Sequence, residues 1–240
     1  MSAITVLALE GIPEVREGDD LAALLGEAIE RGGGLRPGDV LVVAQKVVSK
    51  AEGRVVDLND VEPSDQARDL AADHDPRHLE VILGESVRLV RARAPLVIAE
   101  TRHGFVCASA GVDRSNASGE DTAVLLPVDP DASAQRLSAR LGAPVIISDS
   151  FGRPFRHGTT DVAIGVAGMA PLLDLRGVRD SVGYELKTTT IAIADEIAGA
   201  AELVMGKTAG IPAAIVRGLA PSGDGAARDL VMPPERDLFR

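Results

Sequence analysis

A short apolar run with a polar end constrains this chain more than any other feature. Ala143-Pro-Val-Ile-Ile147 reads as a buried strand, and it runs directly into Ser148-Asp-Ser150. No packing task requires the chemistry of those three residues. The pattern recurs at Gly104-Phe-Val-Cys-Ala-Ser-Ala-Gly-Val-Asp-Arg-Ser-Asn116, where an apolar stretch again ends in small, acidic and basic residues. A buried strand needs a sheet and a core around it. The chain has 240 residues, enough for one large domain or two small ones and for a core without covalent staples. With no Trp, one Tyr and four Phe, that core must be built from Val, Ile, Leu and Ala.

Further strands are expected over residues 4–9, 40–44, 95–100, 105–108, 162–167 and 213–216. Helices are expected over 21–31, capped by Asp19 or Asp20, and over 65–72, 132–141 and 190–205. Residues 78–90 read as mixed helix and strand, and Arg102-His-Gly104 as a tight turn. Helices and strands alternate without a regular βαβ period, which favours an α+β fold over a doubly wound sheet. Residues 1–219 are expected to form the functional domain. Residues 220–240, rich in Gly, Pro, Asp and Arg, read as an irregular tail.

The net charge of −11 argues against a nucleic-acid groove. Cys107 is the only cysteine, so no intrachain disulfide is possible, which fits a reducing cytoplasm. It lies inside an apolar run and reads as a packed small residue. Neither a signal peptide nor a membrane-spanning segment is expected.

Two polar clusters offer hard oxygen ligands, Asp113 with Asn116 and Asp149 with Ser150, and such ligands suit magnesium or manganese. Both acids read as lying at strand exits. Arg114, Arg153, Arg156 and His157 stand close by and offer charge to anions, with His157 also a candidate base. The plainer reading of either aspartate is an Asx-turn. Gln45-Lys-Val-Val-Ser-Lys50 follows the strand 40–44, and on a helical turn Lys46 and Lys50 would share a face. Lys50 reads as a strand-end lysine reaching into a cleft, and Lys46 as a solvated surface charge. Gly206-Lys-Thr208 resembles the end of a P-loop, but Ala201 stands where its first glycine belongs and a helix precedes it. A Walker A motif is therefore rejected. Gly206 and Gly210 still leave backbone N–H groups accessible to phosphate, and helix capping by Gly206 is the alternative. His74, His78 and His103 have no partners at zinc-ligand spacing, and no G-x-S-x-G motif supports a hydrolase triad.

Several motifs in order along the chain carry a family resemblance. They are Gly11-Ile-Pro13 with Glu17-Gly-Asp-Asp20, Val48-Ser-Lys-Ala-Glu-Gly53, Glu100-Thr-Arg-His-Gly-Phe-Val-Cys107 and Ala110-Gly-Val-Asp-Arg-Ser-Asn116. Ser148-Asp-Ser-Phe-Gly-Arg-Pro-Phe-Arg156 and Ala194-Asp-Glu-Ile-Ala-Gly-Ala-Ala-Glu-Leu-Val-Met-Gly206 follow. Together they resemble the coenzyme F420-0:L-glutamate ligases, the GTP-dependent γ-glutamyl ligases of deazaflavin coenzyme synthesis.

The resemblance implies that GTP phosphorylates the terminal carboxylate of coenzyme F420-0 and that L-glutamate then attacks the acyl phosphate. Further γ-linked glutamates would follow by the same route. It implies two Mg²⁺ or Mn²⁺ ions per site, with K⁺ as a further candidate, and an intertwined homodimer of two interlocked lobes. Asp113 and Asp149 would be catalytic metal ligands, and Ser150 would serve the second metal. Lys50 would be catalytic and contact GTP. GTP contacts are also implied for Ile12, Pro13, Glu14, Val15, Gln45 and Asn116, and for Met205, Gly206, Lys207, Thr208, Ala209, Gly210, Ile211 and Pro212. Some relatives carry a nitroreductase-like domain after this one, and the chain ends about where that domain would begin. A non-catalytic nucleotide- or deazaflavin-binding module, or an amide ligase with another acceptor, are the competing readings.

Overall fold

The structure is a computed structural model and describes residues 3–117, 119 and 121–238. Along the chain run β1 (Thr5–Ala8), α1 (Leu21–Arg31), β2 (Val40–Ala44), α2 (Gln45–Ala51) and β3 (Val55–Asp57). Then come α3 (Asp65–Ala71), α4 (Pro76–Glu85), β4 (Ser86–Arg93), β5 (Leu96–Thr101), β6 (Val106–Ala108) and β7 (Thr122–Val124). The second half contains α5 (Pro130–Leu141), β8 (Val145–Gly152), β9 (Thr159–Ala167), β10 (Leu173–Asp174), β11 (Thr190–Ile191), α6 (Ile193–Met205) and β12 (Ala213–Arg217).

The apolar runs form the centre of a five-stranded sheet in the order β1-β12-β2-β8-β9. Only β2 and β8 are parallel, and the other neighbours are antiparallel. The sheet is covered on both faces, which is why its central strands are apolar without alternation. Leu41 and Val43 of β2 join Leu25 and Ile29 of α1 and Leu137 of α5 in one core. Val40 and Val42 face the other way and meet Ile197, Ala198 and Ala201 of α6. Each fully buried aliphatic side chain of this kind contributes about 1.5–3 kcal/mol. A third core, with Leu58, Leu79, Ile82 and Val97, lies under the pair β3-β7 and the sheet β4-β5-β6. The architecture is α+β with mixed sheets.

Local signals explain the helix ends. Asp20 caps α1 by accepting the Ala23 N–H at 3.1 Å, and Asp129 caps α5 by accepting that of Ala132 at 2.9 Å. The start of α5 packs hard on β9: a Cβ at Gly165 would lie 2.4 Å from the Pro130 carbonyl oxygen, so only glycine fits there. In the tail, short 3₁₀ turns form at Ala227–Leu230 and Pro234–Arg236, and the first is tied to α5 by an Ala227 N–H donated to Asp131 at 2.7 Å. Phe239 and Arg240, the end of the expected tail, lie outside the described residues.

Four expectations change. Strand β8 does not stop at Ile147 but continues to Gly152, because β9 extends back to Thr159 and pairs with it throughout. Asp149 therefore sits inside a strand rather than at its exit. Asp113 is not a strand end either: it follows a 3₁₀ turn, Ser109–Gly111, and exchanges two backbone hydrogen bonds with Val124. Lys50 lies on helix α2, which starts immediately after β2, and not at a strand end. The helix expected over 190–205 begins at Ile193, since Thr190 and Ile191 pair with β10.

Candidate functional site

The site lies where several chain segments reach the same end of the large sheet. The parallel strands β2 and β8 run side by side to Ala44 and Ser148. The crevice outside the ends of parallel strands is a recurrent ligand position. Strand β12 enters from this end, with the Ala44 N–H donated to the Pro212 carbonyl at 2.8 Å, and the loop after β1 arrives beside it. A cavity of about 690 Å³ results. Its size is that of a small-molecule or cofactor pocket.

Most of the expected residues line it. Ile12, Pro13, Glu14 and Val15 come from the loop after β1, and Gln45 and Lys50 from α2. Asn116 comes from the loop before β7, Asp149 and Ser150 from β8, Met205 from the end of α6, and Gly206, Lys207, Thr208, Gly210, Ile211 and Pro212 from the segment between α6 and β12. Ala209 is not among the lining residues, and neither is Asp113. Asp113 instead lines a smaller cavity of about 170 Å³ whose wall, Asp149 and Ser150, is shared with the large one. Arg114, Arg153, Arg156 and His157 line neither cavity. Arg153 and His157 belong to the β8–β9 connection, where the guanidinium of Arg153 donates to the His157 carbonyl at 3.1 Å.

Two charged clusters stand in this region. In the first, the Lys50 ammonium donates to a Glu14 carboxylate oxygen at 2.5 Å. Lys50 is buried whereas the Glu14 side chain is mostly exposed. Gln45, one turn earlier and also buried, donates through its amide nitrogen to Ser49 Oγ and to the Leu125 carbonyl, both at 2.8 Å. The bond to Leu125 ties the start of α2 to the chain leaving β7.

The second cluster is acidic. Asp161 on β9 faces Ser150 across the strand pair and accepts both neighbouring hydroxyls, Ser148 Oγ at 2.9 Å and Ser150 Oγ at 2.5 Å. Enclosure pushes the Asp149 carboxyl up to about 7; the Ser150 N–H and the Lys46 ammonium pull it down, and Asp161 and Asp113 push it up again. Lys46 Nζ lies 2.6 Å from Asp113 Oδ2 and donates to Ser115 Oγ at 2.9 Å. Burial acts to raise the Asp113 carboxyl, but Lys46 and the Ser115 N–H outweigh it and hold it below the ordinary carboxylate value. Asn116 donates to the Lys207 carbonyl at 3.3 Å, which joins its loop to the segment after α6. Gly206 caps α6 by donating its N–H to the Glu202 carbonyl at 2.8 Å, so the capping reading holds and that N–H is not left open to phosphate, although Gly206 lines the cavity.

Four charged lining residues were missed in the sequence, Arg16, Lys46, Asp161 and Glu202. Lys46, read as a solvated charge, lines the cavity and is ion-paired; its spacing of four from Lys50 was the available signal. Asp161 and Glu202 also line the cavity. An acid directly before the apolar run 162–167 could have marked Asp161. Cys107 is buried, and its thiol is pushed up to about 12 chiefly by that burial, so it is an inert packed residue.

A family model for F420-0:Gamma-glutamyl ligase matches residues 11–218. The chain is 46% identical to a coenzyme F420:L-glutamate ligase of Methanothermobacter thermautotrophicus, over 99% of both chains. It is 47% identical to one of Methanopyrus kandleri over the whole of both, and 44% identical to one of Natronomonas pharaonis over 96% of this chain and 92% of the other. The match takes in the loop after β1, helix α2, both aspartates and the segment after α6, and the chain belongs to the F420-0:gamma-glutamyl ligase family.

Proposed function

We propose that this protein joins L-glutamate to the phospholactyl carboxylate of coenzyme F420-0 with the hydrolysis of GTP to GDP and phosphate. As a member of its family it is a ligase that forms a carbon–nitrogen bond. The observation that carries the GTP reading is the cavity of about 690 Å³, whose lining combines apolar residues such as Ile12, Pro13, Val15 and Ile211 with carboxylates, hydroxyls and lysines. A nucleotide needs both: a dry wall for its base and a charged end for its phosphates.

The reaction takes two steps. A carboxylate oxygen of the acceptor attacks the γ-phosphorus of GTP, an acyl phosphate forms and GDP leaves. The glutamate amine then attacks the acyl carbon, phosphate departs with the C–O electron pair, and the nitrogen loses a proton. Reactant and transferred group are both anionic in the first step, so positioning and charge stabilisation dominate it. Residues 12–15, 205–208 and 210–212, which line the cavity, would hold the nucleotide, and Lys50 would stabilise the charge that develops on it.

The donor set fits Mg²⁺ or Mn²⁺. Asp113, Asp149 and Ser150 offer only oxygen; burial chiefly raises the Asp149 carboxyl, with repulsion from Asp161 and Asp113 adding to it, and a bound cation would favour the carboxylate against both. No group of three or more His, Cys, Asp or Glu among the described residues is placed to hold a metal. Bound nucleotide oxygens would complete the shell, as is usual for magnesium. When bound, the metals would neutralise the phosphoryl group and its acceptor.

The proposed form is an intertwined homodimer in the cytoplasm. The exposed Val182 and Tyr184, in the segment between β10 and β11, support an interface, and the lone, buried Cys107 supports the reducing compartment. No helix among the described residues is long and apolar enough to cross a membrane. The test of function is mass spectrometry after incubation with GTP, Mn²⁺, L-glutamate and the deazaflavin acceptor. One glutamyl mass gained per product is expected, and an unchanged acceptor with GTP present would overturn the proposal.

A further inference from the structure

Lys46 is the feature of the site that the proposed reaction leaves unused. Its side chain is only 19% exposed and lines the large cavity, so it is not a solvated surface lysine. It starts the first turn of α2, held there by the Gln45 anchor, and it reaches away from its own helix to the loop carrying Asp113 and Ser115. The groups that face it are two carboxylates: Asp113 in contact and Asp149 close enough to be influenced by its charge. Asp161 extends the same acidic wall. An ammonium thus stands against the oxygens proposed to hold the metals.

We propose that Lys46 is the site's own counter-cation: it neutralises Asp113 while no divalent metal is bound, and it turns to the transferring phosphoryl group once metal takes its place. The inference rests on the proposed ligase reaction and adds a residue to it. Two cations cannot share Asp113 without repelling each other, so metal entry must loosen the contact with Lys46. The flexible four-carbon stem allows the ammonium to move without disturbing α2. Its next available partner is anionic phosphate at the same cavity wall, where a compact charge stabilises the charge that develops during transfer. Lys50, one helical turn on, is already held by Glu14.

The test uses the whole protein and Lys46→Met, which keeps the apolar stem and deletes the charge, with Lys46→Arg as a charge-keeping control. Mn²⁺ affinity without nucleotide is measured by calorimetry or by the EPR signal of free Mn²⁺. Lys46→Met is expected to bind Mn²⁺ about tenfold more tightly, because the competing cation is gone, yet to show a kcat lower by about a hundredfold. Lys46→Arg is expected to keep Mn²⁺ affinity near the parent value and to lose less turnover. Unchanged or weakened Mn²⁺ binding in Lys46→Met, or an unchanged kcat, would overturn the inference. Loss of parent-like circular dichroism in Lys46→Met moves the test to Lys46→Gln, with the same two expectations. Absence of glutamyl product from the parent protein would count instead against the ligase reading, since metal binding is scored without turnover.

Discussion

Lys50 and Glu14 form an ion pair with unequal surroundings: the lysine side chain is 8% exposed and the glutamate 65%. This inequality decides what a substitution should do. Lys50→Met retains the packed stem and leaves Glu14 largely in water, so no buried charge is stranded. Thermal stability should change little. Turnover should not follow suit: kcat/KM for GTP is expected to fall about a hundredfold if Lys50 stabilises the phosphoryl group. Parent-like kinetics in Lys50→Met would remove Lys50 from the reaction. At this scale the sequence conveyed residue types well. A lysine after an apolar run and an aspartate between serines are recognisable as chemistry without a packing role. Their partners were not recognisable, because Glu14 reaches Lys50 across 36 residues and Lys46 reaches Ser115 across 69.

Strands β2 and β12 depend on another charged pair. Asp39, just before β2, is fully buried and meets the Arg217 guanidinium at the end of β12 at 2.7 Å, while also accepting the Arg36 N–H at 2.8 Å. The Arg217 hydrogen bonds, opposed by burial and aided by the Arg36 N–H, hold the Asp39 carboxyl below its ordinary value of 3.8. A carboxylate depressed in the folded state adds stability that is complete above the unfolded value. That stability is lost as pH falls through the folded value. The melting temperature is therefore expected to drop steeply only below about pH 4. Asp39→Asn should flatten that acid slope and cost about 3 kcal/mol at neutral pH, because Arg217 loses its charged partner. A melting series that superimposes on the parent at every pH would contradict this. Helix and strand positions were largely legible here: α1 and β2 lie over 21–31 and 40–44 as the periodicity and caps predict. The strands β3, β7, β10 and β11 are two or three residues long and carry too little pattern to read.

At the scale of the whole molecule, one exposed segment bears on assembly. The segment between β10 and β11 holds its shape by its own bonds, such as Tyr184 N–H to Asp180, and it exposes Val178, Val182 and Tyr184. Scattered apolar exposure is normal, but three such residues on one projection suit a partner surface. Light scattering at micromolar concentration is expected to give twice the chain mass. Val182→Asp with Tyr184→Asp should shift it toward the monomer. A monomeric parent with full activity would exclude the homodimer.

The longer buried strands, the cap of α1, the α+β character and, through motifs in order, the family were legible in the chain alone. Those properties are local or cumulative: apolar spacing, capping side chains and residue identities need no knowledge of what lies opposite. What no local pattern contains is that Asp149 is an interior strand residue near Asp161, that Lys46 faces Asp113, and that residues 12–15, 205–208 and 210–212 wall the same cavity. These follow from the parallel pairing of β2 with β8 and from the extension of β9 past Val162. Strand register is a long-range balance of packing and hydrogen bonding, and no window of the chain contains both sides of it.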